Sequence, residues 1–266
     1  MKLVTYESDG RTRAGVLSDD GVRDSGFATM KELLSAGPPA QPSGEPVQPD
    51  RLLPPVTDPD KIICIGLNYL SHAREAGLEP SDTPTIFAKY RNALVAPDST
   101  VALPPYSSKV DYEAEVAFVI GKLAKDVAEA DALDYVAGYM LLNDLSARDM
   151  QFATPQWMPG KVFDGSAPCG PWLVTPDEAG PPDAIEIRLT LNGEEMQNGS
   201  TADLVHSIPA LVAYLSKLMT LEPGDIVSTG TPSGVGSVRD PKVWLGAGDE
   251  VVVESPTLGR LVTTLA

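Results

Sequence analysis

Two glutamates separated by one residue stand in an apolar, β-prone stretch. Glu113 and Glu115 fall within Val110–Ile120, which is predicted to form a strand. Residues two apart in a strand point to the same face, so both carboxylates should project side by side. Adjacent carboxylates in a buried sheet repel each other and lose hydration, which is costly unless a cation compensates. The pair therefore indicates a site for a hard divalent ion with oxygen ligands.

A third carboxylate, Asp144, follows the predicted apolar strand Tyr135–Asn143. It could join Glu113 and Glu115 if the two strands are neighbours. A simpler interpretation is that the two glutamates lie on an exposed strand face opposite Arg or Lys. The pattern alone leaves both interpretations open, because Glu-x-Glu pairs are common on strands.

Two histidines occur in the chain, and one of them has an acidic neighbour at helical spacing. His72 and Glu75 are three residues apart in the predicted helix Asn68–Ala76, so they can form a hydrogen-bonded dyad. The alternative is an ordinary histidine on the helix surface paired with Glu75. His206 has no motif partner and is assigned a structural or surface role.

Cationic and amide side chains follow the acidic residues. Lys161 is a candidate partner for an oxyanion or carboxylate, and its apolar neighbours argue against a solvated surface lysine. Arg148 and Gln151 could bind substrate oxygens or brace metal ligands, although Arg148-Asp149 could instead be a local ion pair. Lys89 is a further candidate for substrate binding.

The glycine-rich stretch Thr229–Gly236 superficially suggests a phosphate loop. It lacks the Lys-Ser/Thr ending of that motif, which argues against nucleotide binding. Its backbone N–H groups and the Thr231 hydroxyl could bind a substrate carboxylate. A plain turn between strands is the alternative.

The predicted elements are mainly strands, with helices added. Residues 1–60 are predicted to form a small N-terminal domain and a proline-rich linker, and residues 61–266 the catalytic domain. The linker, Pro38–Asp60, contains eight prolines and should be extended. Other predicted strands are Leu3–Tyr6, Ala14–Leu17, Gly21–Arg23, Ile62–Ile65, Thr85–Ala88, Ile185–Asn192, Ile226–Thr229, Glu250–Glu254 and Arg260–Leu265. Predicted helices are Thr29–Ser35 and Ile208–Leu218. Consecutive strands without βα alternation favour an α+β fold over a doubly wound sheet.

Composition limits the partners. The net charge of −17 repels nucleic acid and anionic membranes, whereas a metal or local cations could still bind an acidic small molecule. Cys64 and Cys169 do not suggest a disulfide framework or a metal site; Cys169 is placed in a loop, Ala167–Pro171. We expect a cytoplasmic protein, since the sequence shows no leader pattern and no apolar run long enough to span a bilayer.

Several motifs together resemble the fumarylacetoacetate hydrolase family, particularly its acylpyruvase and 2-hydroxyhepta-2,4-diene-1,7-dioate isomerase members. The resemblance covers about Lys61 to Ala266, and it rests on the order and spacing of the motifs. The motifs are Gly66-Leu-Asn-Tyr-Leu-Ser-His72-Ala-Arg-Glu75, Phe87-Ala-Lys89, Tyr112-Glu-Ala-Glu-Val, Asn143-Asp144-Leu-Ser-Ala-Arg148-Asp149-Met-Gln151, Lys161-Val-Phe-Asp164, Leu191-Asn-Gly-Glu and Thr229-Gly-Thr-Pro232-Ser-Gly-Val-Gly236.

The resemblance implies that the fold is a β-sandwich roll. It also implies that the protein forms a homodimer and takes part in aromatic catabolism. It implies that Glu113, Glu115 and Asp144 bind Mg²⁺, with Mn²⁺ or Ca²⁺ as alternatives, leaving positions for water and substrate. It further implies that His72 and Glu75 lie on a lid and activate water.

The expected reaction is hydrolysis of a carbon–carbon bond in an acylpyruvate-type 1,3-dicarbonyl acid, a small-molecule keto acid. Oxaloacetate decarboxylation and hydroxymuconate-type isomerisation or dehydration share its enolate, so the motifs do not separate them. A non-catalytic ligand-binding protein is the alternative of another class. We expect the loops at Leu78–Thr85 and Ser237–Trp244 to set substrate specificity.

Overall fold

The structure is a computed structural model that describes residues 1–37 and 44–266. The first residues of the predicted linker, 38–43, therefore lie outside the described residues. The N-terminal elements are β1 (Lys2–Ser8), β2 (Arg11–Ser18), β3 (Gly21–Asp24), α1 (Met30–Ala36), β4 (Pro46–Val47) and β5 (Arg51–Leu52).

The remainder of the chain alternates strands with short helices. The elements are β6 (Ile62–Gly66), α2 (Leu70–Glu75), β7 (Thr85–Lys89), β8 (Leu94–Val95), β9 (Ser99–Val101), β10 (Val110–Asp111), β11 (Ala114–Ile120), β12 (Val136–Asn143), β13 (Ser146–Ala147), α3 (Arg148–Gln151), β14 (Ala167–Val174), α4 (Pro176–Ala179), β15 (Glu186–Leu191), β16 (Glu194–Ser200), α5 (Ile208–Leu218), β17 (Ile226–Ser228), β18 (Glu250–Ser255) and β19 (Gly259–Leu265). Short 3-10 helices cover Arg91–Ala93, Glu129–Tyr135, Met158–Gly160, Thr201–Asp203 and Gly236–Val238.

Two sheets enclose the main core. The larger sheet has 12 strands in the order β4-β3-β2-β1-β14-β12-β11-β17-β6-β7, with β5 paired to β1 and β8 to β14. The smaller sheet has five strands in the order β16-β15-β18-β19-β9. Phe118 of the larger sheet, Leu189 of the smaller sheet and Leu211 of α5 belong to one buried cluster. The predicted mainly β, α+β fold with a packed sheet pair is therefore confirmed.

Most of the strands and helices that were predicted lie within one or two residues of the observed bounds, whereas β16 and several short elements were not predicted. Asn192-Gly193 adopts positive φ angles in the hairpin between β15 and β16, as its sequence predicts. Thr29 caps α1 through a reciprocal bond pair with Glu32. β4 and β5 pair with β3 and β1, so this part of the predicted linker is extended but belongs to the sheet.

Two local predictions were wrong. Val110–Ile120 is not one strand, because the chain breaks at Tyr112-Glu113 and β10 pairs separately with β13. At the break, side-chain oxygens of Asp111 and Asn143 accept the N–H groups of Tyr112 and Glu113.

The predicted loop Ala167–Pro171 is part of β14, a strand between β1 and β12. Its Pro and Gly residues suggest a turn, but the neighbouring strands impose extended backbone.

The N-terminal strands β1–β5 continue the larger sheet, because β1 pairs with β14. The proposed division of the chain at residue 60 stays a prediction. Cys64 and Cys169 are both buried and free. Among the helices of the described residues, none has the length and apolar character that a membrane crossing requires.

Candidate active site

The ladder between β11 and β12 brings the three predicted metal ligands together. Its last paired residues are Ala114 and Asn143, so Glu113 and Asp144 form the next step, joined by a 2.9 Å bond from the Asp144 N–H to the Glu113 carbonyl. Glu115 lies on the same face. One carboxylate oxygen from each residue lies within 4.8 Å of the others, and all three side chains are buried. The exposed-face alternative is therefore wrong.

Three buried cations surround two of these carboxylates. Lys161 Nζ lies 2.6 Å from Glu113 and 2.9 Å from Asp144. Lys89 Nζ lies 2.6 Å from Asp144. Arg148 Nη2 lies 2.7 Å from Glu113 and 2.8 Å from Asp111. The positive charges of these three side chains therefore compensate the negative charges of Glu113 and Asp144.

Glu115 differs from its two neighbours in its partners. It accepts hydrogen bonds from the Ser228 hydroxyl and, at 3.1 Å, from the Gly230 N–H. Both donors are neutral, and in the described part of the chain no Lys or Arg forms an ion pair with Glu115. The four buried carboxylates (Asp111, Glu113, Glu115, Asp144) therefore outnumber the three buried cations by one, and Glu115 is the carboxylate without a cationic partner among the described residues.

The surrounding charges shift the pKa values of Glu113 and Glu115 in opposite directions. Burial, together with the negative charges of Asp144 and Glu113, raises the pKa of Glu115 to about 8. Burial also disfavours ionised Glu113, but Arg148 and Lys161 hold the pKa of its carboxyl well below the usual range. A hard divalent ion fits this donor set, because it would compensate the carboxylate that the protein leaves unmatched.

His72 and Glu75 form the predicted pair on α2. His72 Nδ1 lies 3.3 Å from a Glu75 carboxylate oxygen. The Gly234 N–H donates to both Glu75 oxygens at 2.9 and 3.1 Å, so the carboxylate is held from a second element. Because Nδ1 faces Glu75, Nε2 is left to serve as a base. His72 lines the cleft with Glu113 and Glu115.

An open cleft of about 650 Å³ gives access to the carboxylates. Its wall includes seven of the ten predicted site residues: His72, Glu113, Glu115, Arg148, Gln151, Lys161 and Thr231. Asp144 and Lys89 are buried behind this wall, and Glu75 is an exposed residue that contacts His72. Three residues of the loops expected to set substrate specificity, Leu78, Ser237 and Val238, line the cleft, and their role in specificity stays a prediction.

Other predicted polar residues already form hydrogen bonds within the protein. Arg148 Nη1 donates to Gln151 at 2.9 Å, and its Nε donates to Asp111 at 2.9 Å. The alternative of a local Arg148–Asp149 ion pair is wrong, since Asp149 instead accepts from Ser107 and Ser108. The physical reason is that the Arg148 guanidinium forms stronger, charge-assisted hydrogen bonds with the buried carboxylates of Asp111 and Glu113.

The predicted surface-lysine alternative for Lys161 is also wrong, because its side chain is 2% exposed. Lys89 is fully buried against Asp144, so it braces that carboxylate. Its contact with substrate stays a prediction.

The Thr229–Gly236 stretch packs against β11 and α2. The Thr231 hydroxyl donates to the Ala114 carbonyl at 2.9 Å and accepts from Gln197 at 2.8 Å. The stretch also supplies the N–H groups of Gly230 and Gly234 that bind Glu115 and Glu75. The stretch therefore forms a polar wall of the site, and the alternative of a plain turn between strands does not describe it.

Sequence reasoning missed several supporting residues. Asp111 accepts from Arg148 and from the N–H groups of Gly236 and Ser237, and Gln197 bonds the Ala114 N–H. Asp111 stands beside the Glu-x-Glu pair, which could have marked it. Gln197 carries no such signal. His206, assigned a structural role, bonds Asn68 through its N–H and the Ser81 carbonyl through Nε2.

Comparison with known proteins agrees with this geometry. The model of the family described as fumarylacetoacetate (FAA) hydrolase C-terminal matches residues 61–266. Human mitochondrial oxaloacetate tautomerase FAHD2A is 41% identical over 90% of this chain and 76% of its own length. Fumarylacetoacetate hydrolase from Exiguobacterium antarcticum superposes with a TM-score of 0.90 at 32% identity, covering 100% of this chain and 99% of that one.

A third similar structure contains ligands. Fumarylpyruvate hydrolase from Pseudomonas aeruginosa, in complex with Mn²⁺ and pyruvate, has a TM-score of 0.72 at 32% identity, covering 82% of this chain and 92% of that one. These proteins are similar to the chain over most of its length, and the range matched by the family model, 61–266, includes every residue that lines the cleft.

Proposed function

The chain belongs to the fumarylacetoacetate hydrolase family, and on this premise we propose that it is a divalent-metal-dependent hydrolase of an acylpyruvate-type 1,3-dicarbonyl acid. The family is enzymatic and includes hydrolases, isomerases and tautomerases. The observation that carries the proposal is the contact between His72 and Glu75 beside a buried carboxylate cluster: His72 lines the cleft together with Glu113 and Glu115, and Asp144 completes the cluster. Hydrolysis needs a base for water, whereas simple decarboxylation of a keto acid does not.

Glu113, Glu115 and Asp144 would hold the metal. When bound, Mg²⁺ or Mn²⁺ would supply Lewis-acid stabilisation of the enolate charge. Mg²⁺ is our first choice, and Mn²⁺ is supported by the complex of the similar fumarylpyruvate hydrolase.

The residues of this chain perform the proton transfers. Glu75 fixes the ring of His72, whose Nε2 takes a proton from water. The resulting hydroxide adds to the distal carbonyl carbon of the substrate, and Lys161 or Gln151 stabilises the oxyanion. The carbon–carbon bond then breaks to give a carboxylic acid and the enolate of pyruvate. Protonated His72 returns its proton to the enolate carbon, so the net change is addition of one water.

Pyruvate release tests the proposal. We would incubate the protein with an acylpyruvate and Mg²⁺, follow the loss of the substrate's ultraviolet absorbance, and measure pyruvate with lactate dehydrogenase. We expect one pyruvate per substrate and no reaction in EDTA. Absorbance loss without pyruvate would contradict hydrolysis, and inactivity across acylpyruvates and oxaloacetate would favour the ligand-binding alternative.

Oxaloacetate tautomerisation is the second candidate. It is favoured by the similarity to human oxaloacetate tautomerase FAHD2A. This reaction interconverts enol and keto forms without consuming water, so oxaloacetate would be recovered. Pyruvate from oxaloacetate would instead indicate decarboxylation, and a hydroxymuconate-type isomerase would convert a dienoate without cleavage.

The remaining family expectations are part of this proposal. We propose a homodimer, which light scattering of the purified protein would test. The cytoplasmic location also stays a prediction, since the similar human enzyme is named as mitochondrial.

A further inference from the structure

The cleft has two regions that differ in polarity. Its buried inner end carries Glu113, Glu115, Lys161 and Arg148, each at most 6% exposed. Its outer wall carries Leu78, Phe152 and Val238, which are among the most exposed large apolar side chains of the described residues. Exposed apolar side chains that gather at one cleft mark a surface that binds an apolar group.

The inner end holds the positive charge of the cleft. Among the described residues that line it, His72, Arg148 and Lys161 are the ones that can be cationic. Arg148 is bound by Asp111 and Glu113, and Lys161 by Glu113 and Asp144. A second carboxylate on a substrate's far end would therefore meet Leu78, Phe152, Val238 and Trp157, without an opposite charge. A carboxylate gains no partner charge on this exposed wall, whereas an apolar group placed against it removes apolar surface from water and is favoured.

The charge balance of the inner end leads to the same result. Four buried carboxylates, when all are ionised, three buried cations and a bound divalent ion sum to one positive charge. One carboxylate at the pyruvoyl end of the substrate neutralises this charge, so the inner end has no charge left to attract a second carboxylate.

We propose that the substrate carries a single carboxylate, at its pyruvoyl end, and an uncharged apolar acyl group that lies against Leu78, Phe152 and Val238. This inference rests on the proposed function, and it names the substrate class within it: an alkanoyl- or aroylpyruvate. It sets this chain apart from the similar fumarylpyruvate hydrolase, whose named substrate carries a carboxylate at each end.

Two pairs of compounds test the inference. The keto acids 2-oxohexanoate and 2-oxoadipate differ only in a terminal methyl or carboxylate, and neither can undergo the cleavage. With saturating Mg²⁺, calorimetry should show that 2-oxohexanoate binds at least about tenfold more tightly. Hexanoylpyruvate and adipoylpyruvate form the corresponding substrate pair, and kcat/KM should show the same preference.

Substitutions in the outer wall of the cleft also test the inference. Leu78→Arg adds a cation at a side chain that is 49% exposed and should fold normally. It should shift the binding ratio toward 2-oxoadipate by at least about tenfold, whereas Leu78→Gln should leave the preference in place. Val238→Arg, at 39% exposed, provides an independent second variant.

The outcomes separate this inference from the proposed function. Equal or tighter binding of 2-oxoadipate, or equal turnover of adipoylpyruvate, overturns the inference and leaves hydrolysis standing. A preference for 2-oxohexanoate without cleavage of any acylpyruvate supports the inference and overturns hydrolysis. If neither keto acid binds, the acylpyruvate pair decides: equal turnover of the two overturns the inference alone, and no turnover of either overturns both.

Discussion

Glu113 and Glu115 are two residues apart, yet their surroundings predict opposite responses to the same substitution. Glu113 forms ion pairs with Arg148 and Lys161, whereas Glu115 accepts from neutral donors. Glu113→Gln would leave two buried cations undercompensated, so the metal-free protein should lose about 3–5 kcal/mol of unfolding free energy. Glu115→Gln removes the unmatched charge and should leave metal-free stability unchanged or raised.

Both substitutions should abolish the response to metal. Mn²⁺ at 100 times its Kd would stabilise the wild-type protein by about 2.7 kcal/mol, and this gain should be lost in each variant. Thermal unfolding in EDTA and in Mn²⁺ measures both quantities. Equal destabilisation of the two metal-free variants would show that the charge assignment is wrong.

His72 should affect turnover without affecting the metal. Loss of a positioned base lowers kcat about 10²–10⁴-fold, so we expect His72→Ala to fall in that range with acylpyruvate as substrate. Mn²⁺ affinity, measured by calorimetry, should stay within about twofold because His72 does not belong to the carboxylate cluster. Arg74→Ala, an exposed position on the same helix, is the matched control. Unchanged turnover in His72→Ala would refute the dyad.

At the scale of elements, the Thr229–Gly236 stretch positions Glu75 on α2. Gly234 has a φ of +106°, and a Cβ at this position would lie 2.1 Å from the Met196 carbonyl oxygen. Gly234→Ala should therefore displace the N–H that binds Glu75 and lower kcat about 10²-fold, with Mn²⁺ affinity preserved.

Gly248→Ala controls for backbone strain alone. Gly248 has a φ of +90°, but no heavy atom lies within 4 Å of its built Cβ. We expect Gly248→Ala to lower the free energy of unfolding by about 1–2 kcal/mol, no more than Gly234→Ala does, and to leave kcat unchanged. If both variants lost activity equally, the Gly234–Glu75 bond would have no special role in catalysis.

The elements also show what sequence can and cannot predict here. Apolar alternation places β11 and β12, and one register step then brings Asp144 beside Glu113. The break at Tyr112-Glu113 was not predicted, because it depends in part on Asn143, which accepts the Glu113 N–H from 30 residues away. Similarly, the local sequence offered Asp149 as an alternative partner for Arg148, whereas the fold brings in Asp111, 37 residues away. In β14, Pro and Gly concealed a strand that only its neighbours β1 and β12 define.

At the scale of the whole molecule, the N-terminal strands and helix share a core with the strands that carry the site. Leu3 and Leu33 belong to one buried cluster with Ile62, Met140 and Leu142. β1 also supplies hydrogen bonds to β14, pairing Leu3 with Leu173. A sheet and a core that cross residue 60 favour unfolding of the described chain as one cooperative unit.

Leu33→Ala tests this cooperativity. Leu33 is fully buried in α1, so its truncation should cost about 2–5 kcal/mol. In hydrogen exchange under native conditions, slowly exchanging amides of β1 and of β11 should lose protection by the same amount. Leu123→Ala, at a side chain 62% exposed, should change neither set. Faster exchange confined to residues 1–37 would mean that the N-terminal unit opens independently, because the carboxylate-bearing strands would then keep their stability without it.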